Sequence, residues 1–126
     1  MKKIINTPSA PAPVGPYNQS VLYNGLLFVS GQIALDPASG ALITSDIESE
    51  THRVMQNLQA ILEAAGLHFG HVLKCTVFVK DIQMFGRINA VYATYFEGVE
   101  APARELVEVV NLPKGGNVEI SLIAGA

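Results

Sequence analysis

An α+β fold, one sheet with both helices on the same face, is what this chain predicts. Three observations lead there. Its strand-like and helix-like runs take the order strands, helix, strand, helix, strands; two segments carry apolar residues at helical spacing; and no internal repeat, low-complexity tract or linker divides the 126 residues. A chain of this length fits one domain, residues 1–126.

After a proline-rich arm, "PSAPAPVGPYNQ", the stretch "VLYNGLLFVSGQIAL" holds two runs of strand formers joined by Asn24-Gly25, a dipeptide that tolerates the positive φ of a tight hairpin turn. "DPASGALI" reads as a loop. Ser45 and Glu48 in "SDIE" have capping-box spacing, and Ile47, Thr51, Val54, Leu58, Ile61, Leu62 and Ala65 trace one face of the first helix. Gly66 stands where that helix ends. "HVLKCTVFVKD" is short and β-branched, so it predicts a strand, with Asp81 placed to cap the next helical segment. Phe85, Ile88, Tyr92, Tyr95 and Phe96 recur at the spacing of a second amphipathic helix. "RELVEVVNLPKGGNVEISLIA" supplies two final strands around a Pro-Lys-Gly-Gly connection. Two helices cover one face of such a sheet. The other face, carrying residues such as Val77, Val79, Val107 and Val109 or their neighbours, needs a different cover.

Composition narrows the function. Charged residues are 15% of the chain and apolar residues 49%, a shortage of charge that predicts burial of surface against further copies of the chain. The net charge of −3, with eight scattered Lys and Arg, leaves no basic stripe for a phosphate backbone, so nucleic acid is a poor partner. No apolar run is long and uninterrupted enough to span a membrane, and "MKKIINTPSAPAP" lacks the apolar core of a secretory signal. Cys75 is the only cysteine, which excludes an intrachain disulfide and predicts a reducing, cytoplasmic setting.

Common chemical motifs are absent: no phosphate loop, no GxGxxG, no HExxH and no zinc-spaced Cys/His set. His52, His68 and His71 read as surface or capping residues, and Cys75, inside a strand, reads as packing. Arg104 and Glu119 are left. Glu119 alternates with Val118 and Ile120, so it shares a face with Asn117 and Ser121. Two readings stay open from the residues alone. In one, Glu119 is solvated and Arg104 is a rim salt-bridge partner. In the other, Arg104 grips a carboxylate through its planar fork while Glu119 orients a water or moves a proton.

The fragments "APAPVGPYNQ", "VSGQIALDPASG", "NLQAILEAAG", "KCTVFVKDI", "INAVYATYF" and "PAR…VEV…LPKG…VEI", in this order over nearly the whole chain, resemble the RidA/YjgF family of reactive-intermediate deaminases. The resemblance implies a chorismate-mutase-like subunit with a mixed sheet, assembled as a barrel-centred homotrimer with ligand clefts between subunits. It also implies hydrolysis of 2-imino acids, the enamine/imine products of pyridoxal-phosphate dehydratases, to 2-oxo acids and ammonia, without cofactor or metal. Residue by residue, it implies that Arg104 grips the substrate carboxylate, that Glu119 holds the attacking water, and that Tyr17 lines the cleft. Ser30, Gly31 and Asn89 then surround the pocket, and the backbone amide of Leu106 helps to bind the carboxylate. Three departures concern substrate range: Glu105 and Leu106 replace the small residue and the frequent cysteine after the arginine, "EGVEAPAR" is shorter than usual, and Ser121 replaces a common second glutamate. Strand alternation aims Glu105 away from the face of Arg104. The other functional class consistent with the same clefts is a non-catalytic trimer that binds 2-oxo acids or related metabolites.

Overall fold

In the computed structural model, which describes residues 1–126, the chain runs β1 (Lys3–Ile5), β2 (Ser20–Tyr23), β3 (Leu26–Gln32), α1 (Ile47–Ala64), β4 (Val72–Val79), α2 (Phe85–Thr94), β5 (Ala103–Glu108) and β6 (Val118–Gly125). The strands form one six-stranded mixed sheet in the order β1-β2-β3-β6-β4-β5. Asn24 and Gly25 take φ of 50° and 77°, so β2 turns directly into β3. α2 carries the chain from β4 to β5, and these two strands are accordingly parallel, while every other pairing is antiparallel.

Both helices pack on one face. Val54, Leu58, Ile61 and Leu62 of α1 and Ile88 and Tyr92 of α2 bury themselves with Val77, Val79, Val118, Ile120 and Leu122 of the sheet in one core. Across the helix pair Arg87 donates twice to Glu48, each bond 2.7 Å, and this holds the Glu48 carboxyl down at about 2. No helix is long and apolar enough to cross a membrane.

β3 contains the irregularity that matters most for the site. Val29 pairs with Leu122 and Gln32 with Ile120, so three steps along β3 meet two along β6. The extra residue is a bulge, and it lets Val29 and Gln32 both face the core while Ser30 and Gly31 lie outside it.

Several sequence expectations need correction. The N-cap of α1 is Asp46, whose side chain accepts from the Ser49 amide, and not Ser45; two adjacent capping residues compete, and the first apolar residue that can be buried, Ile47, sets the start. Asp81 does cap, accepting from the Gln83 amide at the 3-10 turn Ile82–Met84 that leads into α2. Phe85, the first residue of α2, is 50% exposed, and the buried positions of that helix are Ile88, Val91 and Tyr92, which the 3.6-residue period places on one face. Val77 and Val79 lie under the helices, and Thr76 and Phe78 with Val107 and Ile123 carry the uncovered face. β1 was not expected at all.

Candidate active site

Glu119 is the second residue of β6, and alternation turns it away from the core residues Val118 and Ile120. It lines a cavity of about 390 Å³ together with Tyr17, Ser30 and Gly31; Pro11, Val14, Ile33, Leu35 and Lys114 complete much of the wall. No hydrogen bond holds the Glu119 carboxyl, and burial raises its pKa above the ordinary glutamate value. A carboxyl that retains its proton more readily than usual suits proton transfer near neutral pH.

Gly31 has a steric role here. A Cβ at position 31 would collide with the Glu119 carboxylate, so the bulge brings bare backbone against the acid. Gly31→Ala is expected to displace Glu119 and to lower turnover about tenfold or more, the scale of loss when a reacting group is misplaced by a fraction of an ångström to 1 Å. Steady-state kinetics on a protein whose melting is unchanged would check this.

The arm forms the remaining wall because Gln19 staples it. Gln19, 2% exposed, accepts from the Thr7 amide at 2.7 Å and donates from Nε2 to the carbonyls of Thr7, Ala10 and Pro11. Ser30 donates its hydroxyl to Asn18 O at 2.6 Å. Tyr17 stands half exposed at the rim.

A second group forms on the opposite face. Arg104 pairs across β4 with Cys75, on the helix side, and donates from one terminal nitrogen to Asn89 Oδ1 of α2 at 2.6 Å. Its guanidinium lies 4.8 Å from the centre of the Tyr92 ring, a cation–π contact. The rest of its fork has no acceptor in this chain. β5 is an edge strand; the Val109 amide donates to Val79 O, so alternation directs the amides of Arg104 and Leu106 outward from the sheet edge. Glu105 points to the other face, as alternation required, and is held there by Lys74 at 3.2 Å and by the Thr76 hydroxyl at 3.1 Å.

Within one chain, then, the expected residues fall into two sets. Tyr17, Ser30, Gly31 and Glu119 share a cavity; Arg104, Asn89 and the Leu106 amide share the β5 edge. They lie on opposite faces of the sheet and do not converge. Gln19, Lys114 and Tyr92 were missed. Tyr92 had a signal, since it stands three residues from Asn89 and so on the same helical face. Cys75 is a buried free thiol whose pKa burial raises, in keeping with packing, and the Tyr92 hydroxyl is buried without a hydrogen-bond partner. His68 accepts from the Gly70 amide, a capping role, and His52 is exposed. No three His, Cys, Asp or Glu side chains cluster as metal ligands.

The family model described as Endoribonuclease L-PSP matches residues 7–126. A crystal structure of a Rid-family protein, YyfA from Yersinia pestis, superimposes with a TM-score of 0.98 at 44% identity, covering 100% of both chains. The chain belongs to the Rid (YjgF) family. A RutC family protein of Pyrococcus horikoshii is 47% identical over 124 residues, 98% of each chain. The 2-iminobutanoate/2-iminopropanoate deaminase of Rattus norvegicus is 45% identical over 124 residues, 98% of this chain and 90% of that protein. The mixed sheet with two helices on one face is therefore the subunit of this Rid protein, as the resemblance implied.

Proposed function

We propose that this Rid protein hydrolyses 2-imino acids to 2-oxo acids and ammonia, in a cleft between copies of the chain where the Arg104 set of one subunit faces the Glu119 set of another. The observation that carries the reading is that each chain holds two separate and incomplete sets: a cavity-facing acid with no hydrogen-bond partner, and a guanidinium with part of its fork unused. The undercharged composition and the uncovered sheet face, with Phe28, Val107 and Ile123, favour an assembly, and the family resemblance favours a homotrimer. The name of the rat relative supports the chemistry. Endoribonuclease activity, the description attached to the family model, fits this chain poorly, because its net charge is −3 and its eight Lys and Arg are scattered along the sequence rather than clustered as a phosphate backbone requires.

In this mechanism the Arg104 fork, steadied by Asn89 and Tyr92, and the outward Leu106 amide bind the substrate carboxylate. Glu119 takes a proton from a water as that water's oxygen bonds to C2 of the iminium. The resulting carbinolamine receives that proton on nitrogen, the C–N bond breaks to release ammonia, and Glu119 takes the hydroxyl proton as the carbonyl forms and returns it, directly or through water, to the ammonia. An iminium plus water thus gives a 2-oxo acid and ammonium. The iminium carbon is already electrophilic, so positioning and one proton carrier are sufficient machinery.

The test couples a threonine dehydratase, or an amino-acid oxidase acting on several amino acids, to this protein and tracks imine decay. Accelerated decay supports the hydrolase. Unchanged decay across all substrates, with 2-oxo acids still bound, would favour the metabolite-binding reading.

A further inference from the structure

Glu50 is 1% exposed within α1, yet no cation pairs with it. Its carboxylate instead accepts two short bonds from one residue 67 positions away: the Asn117 backbone amide at 2.6 Å and Asn117 Nδ2 at 2.8 Å. Asn117 O in turn accepts from the Lys80 amide, just beyond β4, at 3.0 Å. The residue immediately before β6 is therefore clamped by α1 and by the end of β4.

Two features make that clamp more than a core contact. The preceding turn, Pro113–Gly115, has Lys114 and Gly115 in the left-handed region, with φ of 57° and 74°. Such a turn is strained for lysine and persists only where its surroundings hold it. Pro113 and Lys114 of this turn form part of the cavity wall. Glu119, two residues past Asn117, has no side-chain hydrogen bond, so its position derives from the β6 backbone and from contact with Gly31. A buried carboxylate is also a poor means of stabilising a fold, since apolar residues of similar volume commonly do as well.

We propose that Glu50 is a positioning residue for Glu119: by holding Asn117 it fixes both the turn that walls the cavity and the point from which β6 aims its acid. The catalytic consequence rests on the hydrolase reading; the structural one does not.

The experiment measures the side-chain carboxyl titration of Glu119 by carbon NMR, with kcat and KM for imine hydrolysis, in wild type, Glu50→Ala, Glu50→Gln and Asn117→Ala. Glu50→Ala is expected to move the Glu119 titration down toward the ordinary glutamate value as water enters. It should lower kcat by about ten- to a hundredfold, the scale of a misplaced reacting group, with KM nearly unchanged because Arg104 is untouched. Glu50→Gln still accepts from the Asn117 amide, and the Asn117 side chain can rotate to offer its oxygen, so this variant should recover most of both readouts. Asn117→Ala keeps the backbone bond and loses the other, and should fall between. An unchanged Glu119 titration in folded Glu50→Ala overturns the proposal; if that variant does not fold, an unchanged titration in Asn117→Ala does so. A shifted titration with wild-type kcat overturns the catalytic part. Were wild type to hydrolyse no imine, the hydrolase reading would fail while the titration still decided the role of Glu50.

Discussion

Glu119→Gln is expected to lower kcat by about a hundredfold or more, the contribution typical of a positioned proton carrier, while making the protein harder to unfold at neutral pH. The two effects share one cause. Burial favours the protonated carboxyl, so the folded pKa of Glu119 lies above its unfolded one. Below the ordinary glutamate value of about 4.3 both states hold the proton and the group costs folding nothing. Between that value and the raised folded one, the unfolded chain ionises and the folded chain does not, so stability falls; above the folded value the loss is complete. Glutamine has the shape without the charge. Thermal midpoints should therefore be higher for Glu119→Gln than for wild type near pH 8, with the gap closing near pH 4. Equal midpoints throughout, or undiminished turnover, would remove Glu119 from the role assigned to it.

Arg104→Ala should cost roughly 30-fold or more in kcat/KM, since breaking a buried charge-assisted contact typically costs about 2 to 5 kcal/mol. Arg104→Lys should recover little of this. Lysine has a single ammonium where the guanidinium offers a planar fork, and it loses both the Asn89 geometry and the stacking on Tyr92. Binding of a 2-oxo acid, measured by calorimetry, should weaken in parallel, because the carboxylate is common to substrate and product. Near wild-type affinity in the alanine variant would refute the carboxylate grip. Tyr92→Phe offers a control: it keeps the ring under Arg104 and removes a buried hydroxyl that has no hydrogen-bond partner, so activity and folding should both persist.

Local rules carried much of the fold. Asn24-Gly25 specified its turn because few other pairs accept two successive positive φ values. The apolar stripe of α1 was readable because 3.6-residue periodicity over 18 residues leaves little room for another structure. Lys3–Ile5 was not readable, since three residues at a sheet edge with mostly exposed side chains show no periodicity. Nor could spacing choose between Ser45 and Asp46 as the cap, as both are good acceptors one residue apart. Period-two alternation sorted Val77 and Phe78 onto opposite faces without saying which face the helices would cover.

The candidate site divides along the same line. Residue types marked Arg104 and Glu119, because a guanidinium fork and a strand-borne acid are chemically distinctive wherever they stand; Tyr17 and Asn89 were marked only by the resemblance to the family. The bulge at Ser30–Gly31, the arm stapled by Gln19 and the clamp of Glu50 on Asn117 left no local pattern, since each depends on groups many residues apart that meet only when the sheet forms. The placement of Arg104 and Glu119 on opposite faces is of that second kind. It results from the joint packing of β4, β5 and β6, and alternation along any one strand says nothing about it.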